Sequence, residues 1–177
     1  MILEKPIVTK RLQLRTLSKD DATEHYLCWM EDSAVSRYLE SGREKQTLAS
    51  IAAYIEDKNR SADDLLLGIF VREGGSHIGN IKLGGIDPYH RRAHIGILIG
   101  EKLQWGKGYA TETIEALVSY AGSILNLFRV YAGCHASNSG SVCAFLKAGF
   151  EEEGRLRKHD RIDDEWVDSI ILGRLLP

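Results

Sequence analysis

The residues that most plainly imply chemistry lie in Ile95-Gly-Ile-Leu-Ile-Gly-Glu-Lys-Leu-Gln-Trp-Gly-Lys-Gly-Tyr-Ala-Thr-Glu-Thr-Ile114. An apolar strand passes through a short polar turn into a tight bend, Trp105-Gly-Lys-Gly-Tyr-Ala110, and then into a helix. Gly106 and Gly108 carry no Cβ, so backbone N–H groups there can face a ligand at close range. The first turn of the helix adds N–H groups that have no intrahelical acceptor. With the positive end of the helix dipole behind them, these donors suit a phosphate or pyrophosphate. A plain strand-to-helix turn that needs glycine only for geometry is the competing reading, and the bend alone leaves both open. Two other nucleotide patterns are excluded. The P-loop would need a further glycine upstream and a Ser or Thr after the lysine. The dinucleotide fingerprint would need a third glycine, and no Gly-rich turn follows the first strand.

The remaining reactive residue types point to less. The three cysteines, Cys28, Cys134 and Cys143, show no Cys-x-x-Cys spacing. Their odd number suggests reduced thiols and a cytoplasmic location. Each is expected to be a buried small hydrophobe rather than a nucleophile. None of the six histidines forms a ligand pair such as His-Glu-x-x-His, so no metal is expected.

The elements that must position the bend follow from hydrophobic periodicity. Residues 11–17 alternate as a half-buried strand. Ser18 and Asp20 offer N-caps for a helix from about Asp21 to Met30. Residues 31–40 read as a short helix or loop, and a second helix runs from Thr47 to Asn59. Leu65–Val71 is a continuous apolar strand, Glu73–Ser76 a hairpin turn, and His77–Leu83 the returning strand. Ala93–Ile99 leads into the bend, and a helix from Lys107 to Ala121 ends at Gly122. Phe128–Cys134 is the next strand, Ser137-Asn138 caps a helix over Ser139–Lys147, and strands at Phe150–Lys158 and Glu165–Leu172 close the chain. That order describes an α/β (α+β) domain, a mixed sheet with helices on both faces.

At 177 residues the chain is expected to be a single domain over 1–177 with a full core. A formal charge of −2 with scattered Lys and Arg excludes a general nucleic-acid binder. No signal peptide, membrane-spanning run or lipidation motif is visible, so no membrane partner is expected.

Three segments, taken together, resemble the GCN5-related N-acetyltransferases (GNAT), the RimJ/RimL ribosomal-protein branch most closely. They are Trp105-Gly-Lys-Gly-Tyr-Ala-Thr-Glu112, Asn138-Ser-Gly-Ser-Val-Cys-Ala-Phe-Leu-Lys-Ala-Gly-Phe150, and Glu153-Gly-Arg-Leu-Arg-Lys158 followed by Glu165-Trp-Val-Asp168. The resemblance covers most of the chain and implies the GNAT fold: a mixed seven-stranded sheet, about four helices on both faces, and two parallel strands splayed to form an acetyl-CoA cleft. It implies that the backbone from Gly106 through Lys107, Gly108, Tyr109 and Ala110 to Thr111, next to Trp105, holds the CoA pyrophosphate. The pantetheine arm would pair with Ile97, Leu98 and Ile99 and bond Asn138, with Ser141 near the thioester sulfur.

Two positions depart from the wider superfamily. Trp105 replaces the usual Gln or Arg, which the RimJ/RimL branch tolerates. Phe145 stands where many members have a tyrosine acid. An acid would then come from elsewhere, with Ser141 nearest by motif. The resemblance places a carboxylate base at Asp160, beside His159.

Acyl transfer to an amine needs a neutral nitrogen. An α-amine (pKa roughly 7.7–8.0) is partly neutral at pH 7, whereas a lysine amine (about 10.4) costs about 4–5 kcal/mol to deprotonate. Asp160, His159 or a water they hold are candidate bases. A backbone N–H near Leu98 is the candidate oxyanion donor. Ser141 can bond the leaving thiolate, and its alternative role is to cap the helix that Asn138 also caps. Tyr26-Leu-Cys-Trp-Met-Glu-Asp32 and Val35-Ser-Arg-Tyr-Leu-Glu40 resemble a sub-branch that acetylates amino groups on nucleotide-linked sugars, which implies Trp29, Arg37 and Tyr38 as residues that stack on and pair with the ligand, with ordinary helix packing as the alternative. Glu101 is a candidate contact for a cationic acceptor, or a solvated loop carboxylate.

The expected function is N-acetyl transfer from acetyl-CoA to a primary amine, by direct attack in a ternary complex. The acceptor is a protein N-terminus or a nucleotide-linked amino sugar, with a polyamine, an aminoglycoside or a non-catalytic acetyl-CoA sensor as alternatives. The protein is expected to be a monomer or homodimer.

Overall fold

The computed structural model describes the backbone of all 177 residues and the side chains of all but Ser41 and Arg43. The strands are β1 (Ile7–Val8), β2 (Leu12–Thr16), β3 (Leu65–Val71), β4 (His77–Asp87), β5 (Arg92–Ile99), β6 (Arg129–His135), β7 (Glu151–Ile162) and β8 (Glu165–Leu175). The α-helices are α1 (Glu24–Glu31), α2 (Ser33–Ser36), α3 (Leu48–Arg60), α4 (Tyr109–Ser123) and α5 (Ser139–Lys147).

One eight-stranded sheet runs β1-β2-β3-β4-β5-β6-β8-β7. The expected count of seven misses β1, whose two residues are too few to show a period. The four-residue α2 takes the helices from about four to five. All pairings are antiparallel except β5–β6. That parallel pair is joined only at Arg92–Arg129, Ala93–Val130 and His94–Tyr131. Beyond His94 the strands part, which is the expected splay.

Alternation along the strands builds two cores, one on each face. Leu65, Leu67 and Ile69 of β3 join Ile95, Val130, Ala132, Ile114, Leu117 and Phe145 under α4 and α5. Leu66 of β3 faces the other way and packs with Tyr26, Trp29, Val35, Ile51 and Ile55 of α1–α3. Each fully buried Leu or Ile among these contributes about 1.5–3 kcal/mol.

Several expected boundaries move, each for a local reason. Ser18 caps a 3-10 turn at Lys19–Asp21, and α1 starts later because Thr23 accepts the Tyr26 N–H. Gly122 does not end α4, which continues to Ser123, and a Cβ on Gly122 would make only ordinary contact with Leu176. Of the cysteines only Cys134 is buried; Cys28 and Cys143 lie on the outer faces of α1 and α5, contrary to expectation. No helix of the described residues is long and apolar enough to cross a membrane.

Candidate active site

The bend between β5 and α4 has the backbone its sequence requires. Gly106 (φ 72°) and Gly108 (φ 79°) are both left-handed, a conformation that glycine adopts without cost. The first intrahelical bond is Glu112 N–H to Gly108 O, at 3.1 Å. The N–H groups of Tyr109, Ala110 and Thr111 therefore have no intrahelical acceptor, and no side chain caps them. A Cβ built on Gly106 would meet only open space. Uncapped donors beside an open approach fit a diphosphate.

Tertiary contacts hold the bend in place. The Trp105 indole N–H donates to Ile99 O at 2.7 Å, tying the bend to the end of β5. That contact uses one of the backbone groups expected to receive the pantetheine arm, although a carbonyl keeps a second lone pair. Arg11 donates to Lys107 O (2.8 Å), pairs with Glu112 (2.6 Å) and lies 4.3 Å over the Tyr109 ring. Glu112 also accepts from Thr9 Oγ1 at 2.6 Å and from the Arg11 backbone N–H at 2.9 Å. Burial pushes the Glu112 carboxyl up, but these hydrogen bonds and the Arg11 charge outweigh it and hold the group below its usual range. Arg11 carried no sequence signal, because its partners are about a hundred residues away.

At the open end of the splay, Asn138 caps α5 by accepting the Ser141 N–H at 3.2 Å. The Ser141 hydroxyl is then turned to the Cys134 thiol, 3.3 Å away. Burial pushes that thiol up and Ser141 offsets only part of the shift, so Cys134 is a poor nucleophile. Phe145 is buried, 2% exposed, and meets Phe150 edge-on at 5.0 Å. It has no proton to give.

Asp160 is half-buried within β7, not in a turn. Its carboxylate accepts from the Ser169 hydroxyl and lies 3.1 Å from Nδ1 of His135. His135 is a residue the sequence did not single out. It ends β6, with Ser169 of β8 its register partner. The small serine lets Asp160 reach across β8 to the imidazole. His159, by contrast, is exposed and is not brought into this group.

A pocket of about 230 Å³ opens here, lined by Arg37, Tyr38, Glu40, His135, Arg161 and Asp163 among others. Tyr38 stacks on His135 (5.7 Å, 29°), and its hydroxyl donates to Ser137 O at 3.3 Å. Arg37 pairs with Asp163 at 2.6 Å. Trp29 does not join them. It is 4% exposed, with its ring against Gly100 and 5.0 Å from His77. Glu101 accepts the Leu103 N–H (3.1 Å) and lies 3.7 Å from His25.

Comparison with known proteins defines the class. The family model described as an acetyltransferase (GNAT) domain matches residues 11–151. The chain belongs to the GNAT acetyltransferases, acyltransferases that draw their acetyl group from acetyl-CoA. An uncharacterized N-acetyltransferase of Bacillus subtilis, YoaA, is 32% identical over 155 residues, 85% of each chain. Spermidine N(1)-acetyltransferase of Escherichia coli is 31% identical over 96 residues, 54% of this chain and 51% of that one. Among solved structures, spermidine N-acetyltransferase of Vibrio cholerae in complex with CoA and spermine superposes with a TM-score of 0.84 at 23% identity, over 94% of this chain and 96% of that one.

Proposed function

We propose that this enzyme acetylates a primary amine whose carrier is planar or anionic, a nucleotide-linked amino sugar fitting best and a protein N-terminus next. The supporting observation is the composition of the 230 Å³ pocket, where Arg37, 5.2 Å over the Tyr38 ring, and Arg161 both join Tyr38 in the lining. Asp163 and Asp164 offset those charges at 2.6 Å each, so the pocket is mixed rather than strongly acidic. A polycation would find Arg37 and Arg161 balanced by Glu40 and Asp163 there, with no excess of carboxylate to hold it. A planar or anionic group can stack on tyrosine and take hydrogen bonds from arginine.

The CoA diphosphate sits on the N–H groups between Gly106 and Thr111. The pantetheine arm lies along Ile97 to Ile99 and reaches Asn138, which brings the sulfur to Ser141. The amine enters from the opposite face of the sheet and attacks the thioester carbon directly. A backbone N–H near Leu98 receives the developing oxyanion. Glu101 is the contact for an ammonium group on the acceptor side.

A polyamine acceptor is the second reading, supported by the likeness to the Escherichia coli spermidine enzyme. A thiol-release assay with a UDP-linked amino sugar, a serine-initiated peptide, spermidine and an aminoglycoside tests both. The expected result is a kcat/KM for the sugar nucleotide or the peptide at least tenfold above that for spermidine. A preference for spermidine overturns the acceptor assignment. Tight acetyl-CoA binding with no thiol released from any amine overturns catalysis and leaves a sensor.

A further inference from the structure

We propose that His135, not Asp160, is the base that takes the acceptor's proton, and that Asp160 is its positioning carboxylate. The proposal rests on the acetyl-transfer reading above. His135 lines the acceptor pocket, and Asp160 is absent from its lining. Oδ2 of Asp160 already accepts from the Ser169 hydroxyl and faces Nδ1 of His135 at 3.1 Å. That contact is close but off the axis of a strict hydrogen bond. Catalytic contacts often tighten only when substrate binds.

Three constraints orient the imidazole. Asp160 faces Nδ1, which leaves Nε2 as the proton-accepting atom. Tyr38 covers one face of the ring, and the Tyr38 hydroxyl is itself tied to Ser137 O. Strand alternation then sets His135 and Cys134 on opposite faces of the sheet. Cys134 touches Ser141 on the face that α5 covers. The base therefore stands on the acceptor side, while the hydroxyl intended for the sulfur stands on the donor side.

The step balances without a further reactant. An R–NH3⁺ acceptor loses one proton to Nε2, which later returns it to solvent. The neutral nitrogen attacks the thioester carbon, a C–N bond forms and the C–S bond breaks. The second nitrogen proton passes to the departing thiolate, beside Ser141. The titratable and charged groups around the imidazole are Asp160 of β7, Arg37, Tyr38 and Glu40 of the segment after α2, Arg161 and Asp163 of the β7–β8 turn, and Cys134 next to it in β6.

The test compares wild type, His135→Gln and Asp160→Asn for kcat and kcat/KM against pH, using whichever amine of the panel releases most thiol. Acetyl-CoA affinity, by calorimetry, serves as the fold control. His135→Gln is expected to lose about 10²-fold or more in kcat/KM. Asp160→Asn should lose less, and lose it in kcat rather than KM, because the imidazole stays in the pocket and loses only the carboxylate that orients it. Imidazole added to His135→Ala should restore part of the rate.

If His135→Gln binds acetyl-CoA normally and stays within threefold of wild type, the proposal is wrong. It is also wrong if Asp160→Asn is the slower variant. If a His135 variant fails to bind acetyl-CoA, Asp160→Asn decides alone, and an unchanged kcat overturns the assignment. If wild type binds acetyl-CoA but acetylates nothing, the transfer reading fails first and takes the base with it.

Discussion

At the scale of single residues, two substitutions separate binding from turnover. Gly108→Glu puts a carboxylate and a strained left-handed side chain where the proposed diphosphate sits. Acetyl-CoA binding by calorimetry should vanish, and unchanged affinity would refute the site. Ser141→Ala removes the hydroxyl that meets Cys134 at 3.3 Å. Turnover should fall about tenfold or more with affinity nearly unchanged, and an unaltered rate removes Ser141 from the mechanism. Both positions were legible in the sequence, since a left-handed bend demands glycine and a helix start favours Asn or Ser. His135 was not, because nothing within a strand marks the one histidine that will meet a carboxylate.

At the scale of elements, the bend is rigid because α4 is fastened to the β1–β2 turn through Glu112. Its depressed carboxyl makes a prediction about acid. A lowered folded-state pKa stabilises the fold above the unfolded value, roughly 4.3, and that contribution is lost as pH falls through the folded value. Thermal unfolding should therefore show stability declining below about pH 4.5, with a shallower decline in Glu112→Gln. At neutral pH the same variant should lose about 1–3 kcal/mol, since three donors lose a charged acceptor. An unchanged melting temperature at pH 7 would show that the fastening adds nothing. The splay was also partly legible. A strand that feeds a crossover helix must pair parallel, but only the sheet shows that pairing stops after three residues.

At the scale of the whole molecule, the sheet divides the labour. The glycine bend and Ser141 belong to the face that α4 and α5 cover, and the proposed acceptor pocket belongs to the face of α1–α3. The aromatic residues from the α1–α2 region part company accordingly. Trp29→Ala should cost about 3–5 kcal/mol of stability, the price of a cavity under α1. Tyr38→Ala should leave the melting temperature within a few degrees and raise KM for the amine. If the two variants exchanged these effects, the division of core from pocket would be wrong.

The sequence by itself determined the bend, the order of the longer elements, the α5 cap and the family, because each is encoded within a few neighbouring residues by backbone sterics or periodicity. Only the tertiary structure decided the rest. Whether Trp29 or Tyr38 faces a ligand depends on which helix face the sheet covers. The Arg11–Glu112 clasp and the His135–Asp160 pair join residues far apart in the chain. Asp160 reaches its histidine only because β8 lies between β6 and β7 with a serine at the crossing. Such contacts are set by strand order and register, which local sequence does not encode.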